Sequence, residues 1–252
     1  MEEISEMKII KPRAEILYPN TDADVMEMYK RIELAGRTCY KSEQRITDDS
    51  AAKFIRGLIR RGHEAMIEHV SMTVRFTVDR GVSHEIVRHR IASFAQESTR
   101  YCNYGQEKFG NEITVIEPCF YDVIPEKRRQ LIQKALKCES DGFPESLQPM
   151  TDMDMRYARW CEACMFAEKA YSDKIGHCAT PEEARSVLPN SLKTELVMTA
   201  SLREWRHFFK LRAAGVTGKP HPQMVEVAVP LLKKCQRIMP EVFGDIEVKT
   251  DE

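Results

Sequence analysis

An α+β fold is what this 252-residue sequence predicts, because helical and strand signals mix along it without the regular strand–helix alternation of a parallel sheet. The helical signals are cap residues followed by apolar positions three and four apart. The strand signals are short runs in which apolar and polar residues alternate. No internal repeat, low-complexity tract or linker interrupts the chain, so one domain over residues 1–252 is expected. With 42% hydrophobic residues, that length can bury a core without disulfides.

Thr21 opens the first helix, running toward Gly36, with Asp24 at the capping-box position where Glu is commoner. A second helix covers about 49–61 and stops at Gly62. In "MTVRFTV" Met72, Val74, Phe76 and Val78 alternate with Thr73, Arg75 and Thr77, which predicts a half-buried strand leading through Gly81 into a helix that carries Arg88. "CNYGQEKFGNEITVIEP" reads as a loop and a short strand, and 122–150 as a polar stretch without a clear element. In "DMRYARWCEACMFAEKAY" a helical stripe gathers Tyr157, Trp160, Cys161, Cys164 and Tyr171. Thr180, Pro181 and Glu183 open another helix. "TELVMTAS" is a strand feeding the helix "LREWRHFFKLR", after which "AAGVTGKPHP" is a loop.

Charge excludes some function classes. The 38 basic residues nearly cancel 39 acidic ones, so a general electrostatic grip on nucleic acid or anionic membrane is not expected. No apolar run reaches the roughly 18 residues that a membrane span needs. The start "MEEISEMK" lacks a signal-peptide pattern, and a cytoplasmic location is expected. The eight cysteines form no repeated framework and are expected as free thiols. Cys161 and Cys164 lack a second pair and read as small core residues, so no metal is expected.

A Gly-rich phosphate cradle is missing, which argues against a Rossmann domain or a P-loop. Anion binding then falls to side chains. Arg88, Arg90 and Arg100 supply three guanidinium forks within thirteen residues, with Ser98 and Thr99 as hydroxyl donors between them. The bland alternative is a solvated basic helix face.

The block "VRHRIASFAQESTRY" at 87–101 resembles the signature of the flavin-dependent thymidylate synthases (ThyX): Arg-His-Arg, seven residues, Ser. Arg88, His89, Arg90 and Ser98 match it. "RGHEAMIEH" before it and "LREWRHFFKLR" after it follow the family's order and spacing, and the resemblance covers about residues 13–238. It implies a ThyX-like fold, with mixed helices around a central antiparallel sheet and no Rossmann domain. It also implies reductive methylation of dUMP to dTMP, with methylenetetrahydrofolate as carbon donor and NADPH, through FAD, as hydride source.

Residue by residue, the resemblance assigns Arg88, His89, Arg90, Gln96, Ser201, Leu202, Arg203 and His207 to FAD, with His63 and Ala65 beside the flavin ring. It assigns Glu85, Ile86, Val87, Arg88, Gln96, Glu97, Ser98, Thr99, Arg100, Arg185 and Arg212 to dUMP, with Arg185 on its phosphate. The chain departs from the family at Ser201, often Asn; at Ala65, often a hydroxyl residue; and at Glu85, where Gln can occur. The loop "GVTGKPHP" with His221 is longer than in compact members.

The chemistry agrees with this inventory. Methylating C5 of uracil requires that carbon to be nucleophilic, and a guanidinium at the uracil edge favours negative charge on the ring. Arg212 is the catalytic candidate. Ser98 reads as a nucleotide ligand, since no histidine and carboxylate stand beside it as a relay. Two alternatives stay open: a non-catalytic RNA- or nucleotide-binding module stacking bases on Phe94, Tyr101 and Tyr104, and a methyltransferase with Cys102 as nucleophile. On one continuous helix Arg88 and Arg100 would lie roughly 18 Å apart, too far for one nucleotide. Either the chain turns back near Ser93 or two chains meet at each site; the resemblance favours the second, in a homotetramer with shared active sites.

Overall fold

The structure is a computed structural model that describes residues 8–136 and 149–248. The α+β expectation holds: antiparallel strand pairs are accompanied by helices. Contacts divide the chain into two compact units. The first takes the described residues of Met1–Pro12, Val78–Ser83 and Glu97–Thr194, and the second takes Arg13–Thr77, His84–Gln96 and those of Glu195–Glu252.

In the first unit β1 (Lys8–Ile10) pairs in parallel with β5 (Thr114–Ile116), Ile9 opposite Val115. Its core is the stripe read from sequence. On α5 (Asp152–Gly176) Tyr157, Cys161, Cys164 and Tyr171 are buried and Trp160 packs against them, because residues three and four apart share a helix face. Burial pushes both thiols up, Cys164 to about 12, which makes them inert core residues. Helix α4 (Pro125–Leu136) occupies part of the stretch that carried no clear element; residues 137–148, with Cys138, lie outside the described residues. The Thr180 box forms, yet its helix, α6, spans only Pro181–Ala184 before a 3-10 turn.

In the second unit a four-stranded sheet has the order β2 (Arg13–Tyr18), β3 (Ser71–Asp79), β6 (Lys193–Ser201), β4 (Ala92–Gln96). The pairs β2–β3 and β4–β6 are antiparallel, with Phe94 opposite Met198. Met72, Val74 and Phe76 are fully buried, as alternation predicts. Against them lies α7 (Leu202–Arg212), where Trp205, Phe208 and Phe209 are fully buried and the Trp205 indole donates to the Met72 carbonyl at 2.9 Å. Each such side chain contributes about 1.5–3 kcal/mol when buried. Helix α1 (Asp22–Thr38) begins with the Thr21–Asp24 box, and α2 (Ser50–Arg60) buries Ala51, Ile55 and Leu58. Helices α8 (Pro222–Ile238) and α9 (Pro240–Phe243) follow the 214–221 loop.

One expectation is corrected here. The helix expected to carry Arg88 is α3, and it ends at Ile86 (Arg80–Ile86). Arg88 and His89 sit in a turn whose backbone amides bond to the carbonyls of Glu85 and Ile86, and five residues of β4 follow. The basic cluster is therefore not a helix face, and the 18 Å helical separation does not arise.

Candidate active site

The Arg-His-Arg turn sends its members to different places. His89 is buried, 4% exposed, while Arg88 and Arg90 face solvent. Its Nδ1 faces Glu204 Oε1 at 3.2 Å, and its Nε2 accepts from Arg212 Nε at 3.2 Å. An imidazole that accepts from a guanidinium must be unprotonated at that nitrogen, so the remaining proton belongs on Nδ1 and points to the carboxylate. Burial, then the neighbouring Arg212 and His207, hold the His89 pKa down to about 4. The ring also meets Phe208 at 4.9 Å and His207 at 5.7 Å between centroids.

Arg212 is held at three points. Besides His89 it donates to Glu85 Oε2 at 3.0 Å and to the Glu85 carbonyl at 3.2 Å. His221, whose role sequence left open, lies 3.6 Å from the other Glu85 carboxylate oxygen. Glu85 thus stands between a guanidinium and an imidazole. Ile86 is fully buried and Val87 half-buried, so Ile86 is a core residue at the end of α3.

Ser201 is the N-cap of α7, its hydroxyl accepting from the Glu204 amide at 3.3 Å. Asn serves this position equally well, which explains how Ser stands in for it. Leu202 is buried, and Arg203 is exposed and pairs with Glu68 at 2.5 Å. Ser201, Arg203 and His207 line one cavity of about 760 Å³ together with Ile91. His63 and Ala65 line another, of about 920 Å³, that Arg203 also borders. Donor atoms of His89, Glu204 and His207 come within 4.8 Å of one another, a spacing a metal could use. Both nitrogens of His89 are engaged, however, and the adjacent guanidinium repels a cation.

The rest of the predicted nucleotide set lies in the first unit, apart from Gln96 at the end of β4. Glu97 accepts from the Tyr104 hydroxyl at 2.8 Å and from Lys193 at 2.7 Å. Arg80 reaches the Glu97 carbonyl and the Thr194 hydroxyl, each at 3.4 Å. Thr99 is buried, 7% exposed, and accepts from Arg185 at 3.4 Å, while the Ser98 hydroxyl accepts from the Arg100 amide at 3.3 Å. Arg100 is exposed, paired with Glu182 at 3.2 Å and laid over the Tyr101 ring. The structure thus brings Arg185 and Thr99 together. Arg80 and Lys193 are additions that sequence reading missed, since each meets Glu97 only through the fold.

Two alternatives lose ground on this geometry. Tyr104 is buried with its hydroxyl engaged and cannot stack a base. Burial and then Glu97 push the Cys102 thiol up, away from the reactive thiolate.

Residues 23–241 match the Thy1 family, described as thymidylate synthase complementing protein. A flavin-dependent thymidylate synthase of Corynebacterium glutamicum is 31% identical over 222 residues, 87% of this chain and 80% of that protein. One from Mycobacterium marinum is 31% identical over 233 residues, 91% and 83% of the two chains. Among solved structures, the UMP/dUMP methylase PolB from Streptomyces cacaoi bound with 5-Br dUMP superposes with a TM-score of 0.67 at 22% identity, over 94% of this chain and 96% of that one. Its 5-Br UMP form gives 0.65 at 21%, over 95% of each, so the fold is shared. The match across most of the chain and these relatives place the protein in the Thy1 family of thymidylate synthase complementing proteins.

Proposed function

We propose that this chain is a flavin-dependent thymidylate synthase that methylates dUMP to dTMP, taking carbon from methylenetetrahydrofolate and reducing equivalents from NADPH. The observation that carries the reading is the His89–Arg212–Glu85 arrangement, which holds a guanidinium in one orientation beside a neutral imidazole. The ThyX-like fold, with helices around the central sheet, goes with this activity. Both compact units serve it as one functional domain, since the family match draws on residues of each.

The donor set suits FAD. Among the described residues Arg88 and Arg90 make no side-chain hydrogen bond or ion pair and are free to neutralise a pyrophosphate, with Arg203 beside the cavity of Ser201 and His207. Arg88, His89, Arg90, Gln96, Ser201, Leu202, Arg203 and His207 would hold the cofactor, with His63 and Ala65 near its ring. When bound, FAD supplies the hydride that NADPH provides. The chain's own share is electrostatic. Arg212 faces the uracil and favours the negative charge that develops on the ring as C5 becomes nucleophilic. Glu85 and His89 keep its plane from rotating. Glu97 to Arg100 bind the nucleotide, and Arg185, bonded to Thr99, reaches the phosphate.

The assembly that fits is a homotetramer with shared sites, in which Gln96 to Arg100 with Arg185 come from one subunit and Arg88 with Arg212 from its neighbour. The proposed enzyme is cytoplasmic; among the described residues no helix is long and apolar enough to cross a membrane. The deciding experiment is the visible spectrum of the purified protein followed by a dTMP assay. Flavin bands bleached by NADPH and dTMP formed from dUMP and methylenetetrahydrofolate are expected. A protein that binds no added FAD would end the proposal.

A further inference from the structure

We propose that a basic groove on the second unit, running from His63 past Arg61 to Lys53, binds the oligo-γ-glutamate tail of the folate co-substrate. The inference rests on the function proposed above and assigns a site to the part of the co-substrate remote from the reacting carbon.

The groove consists of two cavities, of about 920 and about 830 Å³, that share a wall of Arg37, Phe54 and Arg61. His63 lines the first, and Lys53 and Arg60 line the second. Arg37 is committed to Glu33 at 2.8 Å, Arg56 to Glu241 at 2.8 Å, and Arg203 to Glu68. Lys41, Arg45, Lys53, Arg60 and Arg61 differ: among the described residues none of them has a side-chain hydrogen bond or an ion pair. The acidic residues on the two walls are already taken. Glu64 receives Arg206 and Lys210, and Asp49 receives the Thr47 hydroxyl. In a chain of net charge −1 this is a local excess of cations, one that composition does not supply.

Helix α2 builds it. The sequence "SAAKFIRGLIRR" buries Ala51, Ile55 and Leu58 on one face and leaves Lys53, Arg56 and Arg60, three and four residues apart, on another. Gly57, a poor helix residue, leaves room for Arg61, whose guanidinium lies 3.3 Å from where a Cβ would stand.

The spacing selects the ligand. A pyrophosphate or a nucleotide phosphate calls for forks converging on one point. Here single cations are strung out, Lys53 and Arg60 alone being separated by about 10 Å along the helix. A γ-linked glutamate chain presents one carboxylate per unit at intervals and matches such a string. Exposed pairs are each weak, so affinity must grow with the number formed, which is the number of glutamates.

The test titrates the FAD-loaded protein by calorimetry with folic acid carrying one or five γ-glutamates, at low and high salt. The longer form should bind about tenfold tighter at low salt, an advantage that shrinks as salt rises. The Lys53→Glu/Arg60→Glu variant should abolish that advantage while keeping the affinity for the one-glutamate form, and the milder Lys53→Ala/Arg60→Ala should lose part of it. Both changes fall on an exposed face, and thermal melts verify folding. Equal affinity of the wild type for the two forms overturns the groove, as does a charge reversal that weakens NADPH instead of the long folate. Binding of neither folate, with no dTMP formed, removes the underlying function as well; dTMP formation with equal affinities removes the groove alone.

Discussion

Arg212 donates from Nε to Nε2 of His89 across 3.2 Å, leaving the buried imidazole's single proton on Nδ1, opposite Glu204. The cation proposed to be catalytic and a motif histidine are thereby made into one unit, in which the charge belongs to Arg212 alone.

That relationship sets a pH dependence. His89 titrates at about 4 in the folded protein against 6.5 when free, so between these values the unfolded chain binds more protons. Stability must therefore fall as pH drops through that window, by an amount approaching about 3 kcal/mol near pH 4. Urea unfolding of the wild type and His89→Gln across pH 4–7 should show a smaller acid loss in the variant. Parallel curves would assign the acid sensitivity elsewhere.

Replacing Arg212 with Lys keeps the charge and removes the planar fork that meets His89, one carboxylate oxygen of Glu85 and the Glu85 backbone carbonyl. Turnover should fall about a hundredfold, mainly in kcat, with flavin retained. Steady-state kinetics at saturating dUMP decide; wild-type kcat would transfer the role to another residue.

Arg206 is 2% exposed, pairs with Asp245 and Glu64, and donates to the Val242 carbonyl. Arg206→Met leaves the Val242 carbonyl without its partner and takes from Glu64 the nearer of its two cations, Lys210 remaining at 3.4 Å, while the half-exposed Asp245 re-solvates. A loss of about 3 kcal/mol in urea unfolding is expected. A change below about 1 kcal/mol would mean that the buried cation is as costly as its bonds are favourable.

Ser201 caps α7, and Ser201→Asn should change stability by no more than a few tenths of a kcal/mol, where Ser201→Ala loses about 1 kcal/mol. Comparing thermal melts and FAD affinity separates capping from any flavin contact: equal FAD affinity in all three proteins confines this side chain to the helix end.

Shared sites predict complementation. Arg100→Ala and Arg212→Ala, each inactive, should partly restore dTMP formation when co-expressed with different tags and purified as mixed assemblies. Activity no higher than either parent would mean that each site is built within one chain.

What could be read from sequence was local. The Thr21 and Thr180 boxes close within three residues, the 72–78 alternation is a period of two, and the α5 stripe repeats on one helix. What failed depended on distant partners. "VRHR" follows directly on a helical run and carries two arginines, which favour helix, yet the chain leaves the helix at Ile86 and joins the sheet through β6, more than a hundred residues on. Beyond the 214–221 loop α8 and α9 begin with Pro222 and Pro240, in first-turn positions where proline is tolerated. The pattern of the site was legible as a motif, but the holding of Arg212 by Glu85 and of Glu97 by Lys193 was not, since nothing in either segment announces the other.

The short strand β4 gives a meaning to the count of seven in the Arg-His-Arg signature. Its five residues lie in register against β6, from Ala92 opposite Ala200 to Gln96 opposite Leu196, with Ser93 and Ala95 exposed and Ala92, Phe94 and Gln96 half-buried. Successive strand residues face opposite ways. One inserted residue would carry Gln96 to the face of Ser93, and one deleted would do the same from the other side. The interval is thus a parity rule: two residues more or fewer would keep the facing and alter only reach, whereas an odd change would turn the second half of the motif to the opposite face of the sheet.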